Sequence, residues 1–265
     1  MLEVEGWPVR EVHATAVVDA SAELGTGVVV GPYAIIGPNV VVGAGTRIGA
    51  HAILERDTIL GAECVISPGA ALGGDPQDLK YRGEPTQLIV GDRTVVREFA
   101  TLNRGTAAHG RTEVGSDCLI MAYAHVAHDC ILGHHVILSN AVNMGGHVVI
   151  EEWVSVGGLT AIHQFAKIGA YAFVGGASQV RKDVPPYVKA SESPPKLYGL
   201  NTIGLERRGF PEDVRREIKR AYRLFFQSRL NISQALERAR DELAPIPEVE
   251  RFIRFIESSE RGVTA

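Results

Sequence analysis

The chain has 265 residues, with 27 Lys and Arg against 31 Asp and Glu, for a formal net charge of -4. That balance leaves no basic footprint for nucleic acid, and no apolar run reaches the roughly 18 residues that a membrane-spanning helix needs. The opening stretch, MLEVEGWPVREV, lacks a basic flank followed by an apolar core, so no signal peptide is expected. Cys64, Cys118 and Cys130 fit buried thiols in a reducing compartment, and a cytoplasmic protein is the simplest account.

From Val12 onward a long or branched apolar residue recurs every sixth position: Val12, Val18, Leu24, Val30, Ile36, Val42, Ile48, Leu54, Leu60, Ile66 and Leu72. Glycine often follows this anchor, where the chain must turn or approach itself closely. Pro32, Pro38 and Pro68 take the next position. The period is neither the 3.6 of a helix nor the alternation of a two-faced strand. Three hexads make one triangular coil of 18 residues, with short parallel strands as its faces. Stacked coils then share one apolar column.

The phase breaks at 74–87 (GDPQDLKYRGEPTQ), resumes at Val90, Val96 and Leu102, and breaks again at 104–113. From Val114 it runs unbroken to Val184-Pro185-Pro186. Excursions from a solenoid tend to lie on one side and shape a binding face. These boundaries divide the chain into a prism over 1–188 and a helical C-terminal domain over 189–265. Residues 197–206 read as a short helix. Pro211 opens a stronger one carrying Val214, Ile218, Ala221, Tyr222 and Phe225 on one face. Asn231 with Gln234 predicts a capping box before a helix over 232–243. A last helix over 247–259 aligns Val249, Phe252, Ile253 and Ile256.

An 18-residue coil stacks His128 on Gly146 and Asp129 on His147, with Gly145 beside His163; His125 is three residues before His128. A histidine near neutrality can take a proton from an alcohol and pass it to a leaving group. Asp129 would hold its tautomer, and the Gly146 N–H would face a developing oxyanion. No serine or cysteine nucleophile motif stands out, and Cys130 is in the inward phase. Direct attack by a substrate hydroxyl on a thioester therefore fits better than a covalent enzyme intermediate. The rival reading has His128 and His147 converging on zinc. His13, His51, His109, His134 and His135 read as corner or surface residues. Gln77, Asp78 and Lys80 suit either a solvated loop or recognition of a sugar or phosphate. The basic run from Arg207 and Arg208 through Arg223 suits an acidic carrier, a phosphate or plain solvent.

The segments GDPQDLKYRGEPT, AHVAHDC, GGHV, AIHQF and GLERRGF, in this order, resemble the UDP-N-acetylglucosamine acyltransferase family of lipid A biosynthesis along nearly the whole chain. The resemblance implies an all-β left-handed parallel β-helix with a C-terminal α-helical domain, assembled as a homotrimer with active sites between subunits. It implies transfer of a 3-hydroxyacyl group from the 4'-phosphopantetheine arm of acyl carrier protein to the 3-hydroxyl of UDP-GlcNAc, with no prosthetic group and no metal. His128 matches the general base, Asp129 its orienting carboxylate, and Gly146 the oxyanion donor. His125, His147 and His163 match residues around substrate. Asp78 and Lys80 match polar residues near sugar and thioester. Gln164, Asn201 and Arg207 match nucleotide or donor contacts, and Arg208 a carrier-docking residue. Gly176 matches the position that limits acyl length, and glycine there is compatible with a longer chain. Ile203 departs from the acidic residue common in the family, and Pro194 from a histidine near the tunnel end. The alternatives are a zinc-dependent carbonic anhydrase on the same prism and an acyltransferase for the 3-amino sugar.

Overall fold

A computed structural model describes residues 12–265; the expectation of no signal peptide falls on residues 1–11, outside the described residues. Most strands are only two residues long, as a six-residue step allows, and they form three sheets of nine, eight and ten strands. The first sheet runs from Val17–Val18 to Gln179–Val180, the second from Glu23–Leu24 to Lys167–Ile168. The third starts at Val29–Val30 and ends on Lys196–Leu200. Consecutive hexads visit the three sheets in turn, and pairing between neighbouring coils is parallel. Val17 pairs with Ile35, Ile131 with Val149, and Ile137 with Ser155, each 18 positions on. Pairing therefore preserves the hexad phase from coil to coil.

The anchors form the core. Ile36, Leu54, Leu72, Leu102 and Val126 stack down the first sheet, all buried. Each such side chain contributes about 1.5–3 kcal/mol by leaving water. The position two residues before an anchor holds a small residue because three faces meet there: Ala34, Ala52, Ala70, Ala100 and Ala124 on one column, and Cys64, Cys118 and Cys130 elsewhere, all buried. Glycine after the anchor answers to stacking. A Cβ on Gly43 would lie 2.5 Å from the Ala62 nitrogen of the next coil. The turn itself is made three residues after the anchor, in the left-handed region. Asp57, Asp129, His147, Trp153 and Tyr171 all have φ between 57° and 62°. None of the non-glycine residues recorded there is β-branched, as sterics require.

Both breaks in phase leave from one edge of the prism. The 74–87 segment follows the strand Ala71–Gly74 of the first sheet and precedes Gln87–Val90 of the second. The 104–113 segment follows Thr101–Asn103 and ends in Arg111–Val114 of the second sheet. Next along the first sheet comes His125–Val126, so His128 turns the same corner one coil further. The one-sided arrangement expected of excursions is what the topology produces.

The stretch 197–206 corrects one expectation. Lys196–Leu200 is a strand, antiparallel to Val188–Ser191, and only Thr202–Arg207 (α1) is helical. Gly199 at φ 89° and the Asn201 cap, whose side chain accepts the Gly204 N–H at 3.2 Å, separate the two. Helices α2 (Glu212–Phe226), α3 (Ile232–Glu242) and α4 (Pro247–Glu257) follow, and the Asn231–Gln234 capping box is present. Ile218, Ala221, Phe225, Val249, Phe252 and Ile256 are buried. The tail is tied back to the prism: Asp183 accepts from the Lys167 N–H at 2.8 Å and from the Ser259 hydroxyl at 2.7 Å. Among the described residues no helix is long and apolar enough to cross a membrane.

Candidate active site

The corner between the first and second sheets gathers the titratable groups. Asp129 and His147 occupy its left-handed position on successive coils, and Phe165 occupies it on the next. That repetition stacks the His147 ring on Phe165, centroids 4.5 Å apart. His128 precedes the turn residue. Its Nδ1 lies 2.8 Å from Asp129 Oδ2, and its ring covers Gly146 so closely that a Cβ there would sit 2.6 Å from Nε2. With the carboxylate accepting, Nδ1 carries the proton and Nε2 presents its lone pair.

Asp129 is buried and heavily bonded. Oδ1 accepts the Thr106 N–H at 2.9 Å and Oδ2 the Thr106 hydroxyl at 2.7 Å; its own N–H donates to Thr112 Oγ1 at 2.8 Å. Burial pushes its carboxyl up, but the bonds from His128 and Thr106 outweigh this and hold it below the usual carboxylate range. His147 lies edge-on to His128, with Nε2 3.7 Å from Asp129 Oδ2. Burial lowers it below the ordinary imidazole value, against the pull of Asp129. His125 is lowered by burial and by His128, and its Nδ1 is 2.7 Å from the Thr101 hydroxyl.

The Gly146 N–H has no acceptor among the described residues. Side-chain acceptors take the amide of the same turn position at three places along the corner between the second and third sheets: Ala62 by Asp92 at 2.8 Å, Ser116 by His134 at 2.9 Å, Ala170 by Glu151 at 2.9 Å. The His128 and Gln164 amides, above and below Gly146 on its own corner, have none among the described residues. A donor left open beside His128 Nε2 is suited to a substrate oxygen.

Residues 183–264 match the family described as Udp N-acetylglucosamine O-acyltransferase, domain 2, and residues 111–146 match the bacterial transferase hexapeptide (six repeats). An acyl-[acyl-carrier-protein]--UDP-N-acetylglucosamine O-acyltransferase from Chlorobium phaeobacteroides is 62% identical over 252 residues, covering 95% of this chain and 96% of the relative. The chain belongs to the UDP-N-acetylglucosamine O-acyltransferase family. Crystal structures of acyltransferases from Bacteroides fragilis (38% identical, TM-score 0.94) and Acinetobacter baumannii (42%, 0.93) superpose on 96% of this chain, over 100% and 99% of theirs. The prism is thus the left-handed parallel β-helix of this acyltransferase family, followed by four helices.

The other residues suggested by the acyltransferase resemblance fall into three groups. Asp78 and Lys80 lie on the first excursion, where the Asp78 carboxylate accepts the Lys80 N–H at 2.9 Å. Asn201, Arg207 and Arg208 line a cleft of about 360 Å³ with Trp153, Phe173 and Ile203. This cleft lies on the outer face of the third sheet, away from the His128 corner. The Asn201 amide is already engaged, donating to the Tyr171 carbonyl at 2.9 Å while capping α1. The Arg208 guanidinium lies over the Trp153 ring, its carbon 3.7 Å from the centroid. Gly176 sits at the third corner, packed against Gly158. His163 is exposed and turns from His128: its Nδ1 is 3.0 Å from the Gln164 carbonyl and 3.2 Å from the Arg261 guanidinium. Gln164 is exposed beside it.

Four residues of this corner escaped the sequence reading. Thr106 and Thr112 hold Asp129. Arg104, 1% exposed, donates to the Gly73 carbonyl, to the Asp75 carboxylate and to the Tyr81 hydroxyl, clamping the loop that carries Asp78. His109, expected at the surface, is exposed but lies edge-on to His147 at 5.3 Å. All come from or beside the 104–113 break, and its position one coil before His128 was the available signal.

Proposed function

We propose that the protein transfers a 3-hydroxyacyl group from acyl carrier protein to the 3-hydroxyl of UDP-N-acetylglucosamine, the first step of lipid A biosynthesis, as a cytoplasmic homotrimer. The observation that carries this reading is the His128–Asp129 pair lying over the open Gly146 N–H, in a chain of this family. His128 Nε2 takes the proton of the sugar hydroxyl as its oxygen attacks the thioester carbonyl. The carbonyl oxygen gains the negative charge and receives the Gly146 N–H. Asp129 stabilises the imidazolium. Collapse expels the phosphopantetheine thiolate, which takes the proton back from His128. The thioester arrives on the donor, so the chemistry calls for no resident prosthetic group.

Within one chain the pair and the Asn201–Arg207 cleft lie on different sides of the prism. A three-fold assembly supports the reading, because it can bring the cleft and the Gly176 corner of a neighbour to His128. The Gly176 corner also exposes Phe99, Tyr123 and Leu159, a line of apolar side chains suited to burial against another copy. His125, His147, His163, Gln164, Asp78 and Lys80 would surround the sugar and thioester, and Arg208 with the basic face of α2 would meet the acidic carrier. The test offers 3-hydroxyacyl carrier proteins of several lengths to UDP-GlcNAc and to its 3-amino analogue. O-acylated product is expected, with the preferred donor reporting tunnel length. Transfer to the amino sugar alone would replace the acceptor, and no transfer to either would refute the proposal.

A further inference from the structure

Beside the proposed catalytic pair stands a set of donor atoms with the character of a metal site. His109, Asp129 and His147 each offer one ligand atom, all within 4.8 Å of one another. His147 Nε2 and Asp129 Oδ2, 3.7 Å apart, are near the ~3.3 Å separation of neighbouring ligands around tetrahedral zinc with bonds of about 2.0–2.1 Å. His147 Nδ1 is buried without a hydrogen-bond partner, so Nδ1 can hold the proton while Nε2 gives its lone pair. His109 is exposed on a short turn closed by the Gly110 N–H to the Thr106 carbonyl at 2.7 Å, with open space about Gly110. A shift of its ring toward Asp129 and His147 would complete a three-ligand set. Water would fill the fourth position. His128 is outside the set, its Nδ1 being taken by Asp129.

We propose that His109, Asp129 and His147 form an inhibitory binding site for Zn²⁺. The ion would take the carboxylate oxygen that bonds to His128 and would immobilise His147 in the path of substrate. Metal binding and acyl transfer are then mutually exclusive. The inhibitory half of this inference rests on the proposed roles of His128 and Asp129; the binding half does not. His109 has no part in the transfer chemistry, so His109→Gln separates the two.

The experiment titrates Zn²⁺ into chelator-stripped wild type and His109→Gln by calorimetry, and follows acyl transfer with and without the ion. Wild type should bind one ion per chain, lose transfer as the site fills, and recover with EDTA. His109→Gln should keep its zinc-free activity while both zinc affinity and zinc sensitivity fall at least ~10-fold, since weaker perturbations around a metal already cost that much. Equal affinity in the two proteins would put the ion elsewhere and overturn the site. Loss of zinc affinity in His109→Gln with unchanged inhibition by zinc would overturn the competition. Absence of transfer in zinc-free wild type would count against the proposed function alone, because calorimetry would still judge the site.

Discussion

Replacing Gly146 by Ala tests the placement of His128 with one methyl group. The new Cβ would lie 2.6 Å from His128 Nε2 and 3.0 Å from Nδ1. Ordinary carbon–nitrogen contact begins near 3.4 Å, so the ring must retreat by about 1 Å, and a misplacement of that size costs on the order of a hundredfold in rate. The 2.8 Å bond to Asp129 is strained by the same movement. Stability should hold, because Gly146 is not in the left-handed region, and alanine there restricts the unfolded chain. Gly145→Ala is the contrast. Its Cβ would meet the Gln164 backbone nitrogen at 2.8 Å, which cannot swing aside, so it should lose about 1–3 kcal/mol of stability. Steady-state transfer and urea unfolding on both variants give the pattern. Full activity in Gly146→Ala would refute the stacking of His128 on Gly146. Loss of activity in strict proportion to loss of fold would remove its catalytic meaning.

Thr106→Val removes the 2.7 Å hydroxyl bond to Asp129 but keeps the backbone one. A charge-assisted bond is worth about 1.5–3 kcal/mol, and with half the support retained kcat should fall roughly tenfold at unchanged KM. Thr106→Ser should restore it, and a KM effect alone would contradict the positioning role. Burial raises the Cys118 thiol to about 11 and the Cys130 thiol to about 12. Thiol reagents at pH 8 should modify them only after unfolding, and Cys130→Ala should keep transfer; rapid native labelling would contradict the inward packing. His125 and His147 are depressed in the folded state, so the unfolded chain binds more protons as pH falls. Their contribution to stability is full above about pH 6.5 and is lost below it. Asp129, also depressed, contributes above about pH 3.9 and is lost as pH falls through its folded value. Urea midpoints should decline in these two stages, and the His125→Gln, His147→Gln double variant should show a smaller first decline, the remainder coming from His135, which burial also depresses; an unchanged profile would contradict the assignment.

The hexad column was legible because parallel pairing keeps the 18-residue step, so Asp129 falls under His147 and His128 on Gly146 by counting alone. The side chain of His163 was not, since the period places its backbone beside Gly145 while its ring turns to Arg261. Thr106, His109 and Arg104 belong to a break where no period operates. Counting which sheet each break follows would have placed both at the His128 corner. The 197–206 stretch reads as one short helix in the sequence, whereas Gly199 and the Asn201 cap divide a strand from a shorter helix. The left-handed corners are nearly silent, because any residue without a β-branch serves there.

In the proposed homotrimer one active site draws on two chains: His128 from one and the Asn201–Arg207 cleft from its neighbour. Co-expressing His128→Ala and Arg207→Ala chains under separate tags tests this directly. Each variant alone should be nearly inactive. In random mixed trimers about one quarter of interfaces would join an intact His128 to an intact Arg207, so transfer should return to roughly that fraction of wild type. Mixed assemblies no more active than the separate variants would contradict a site shared between subunits.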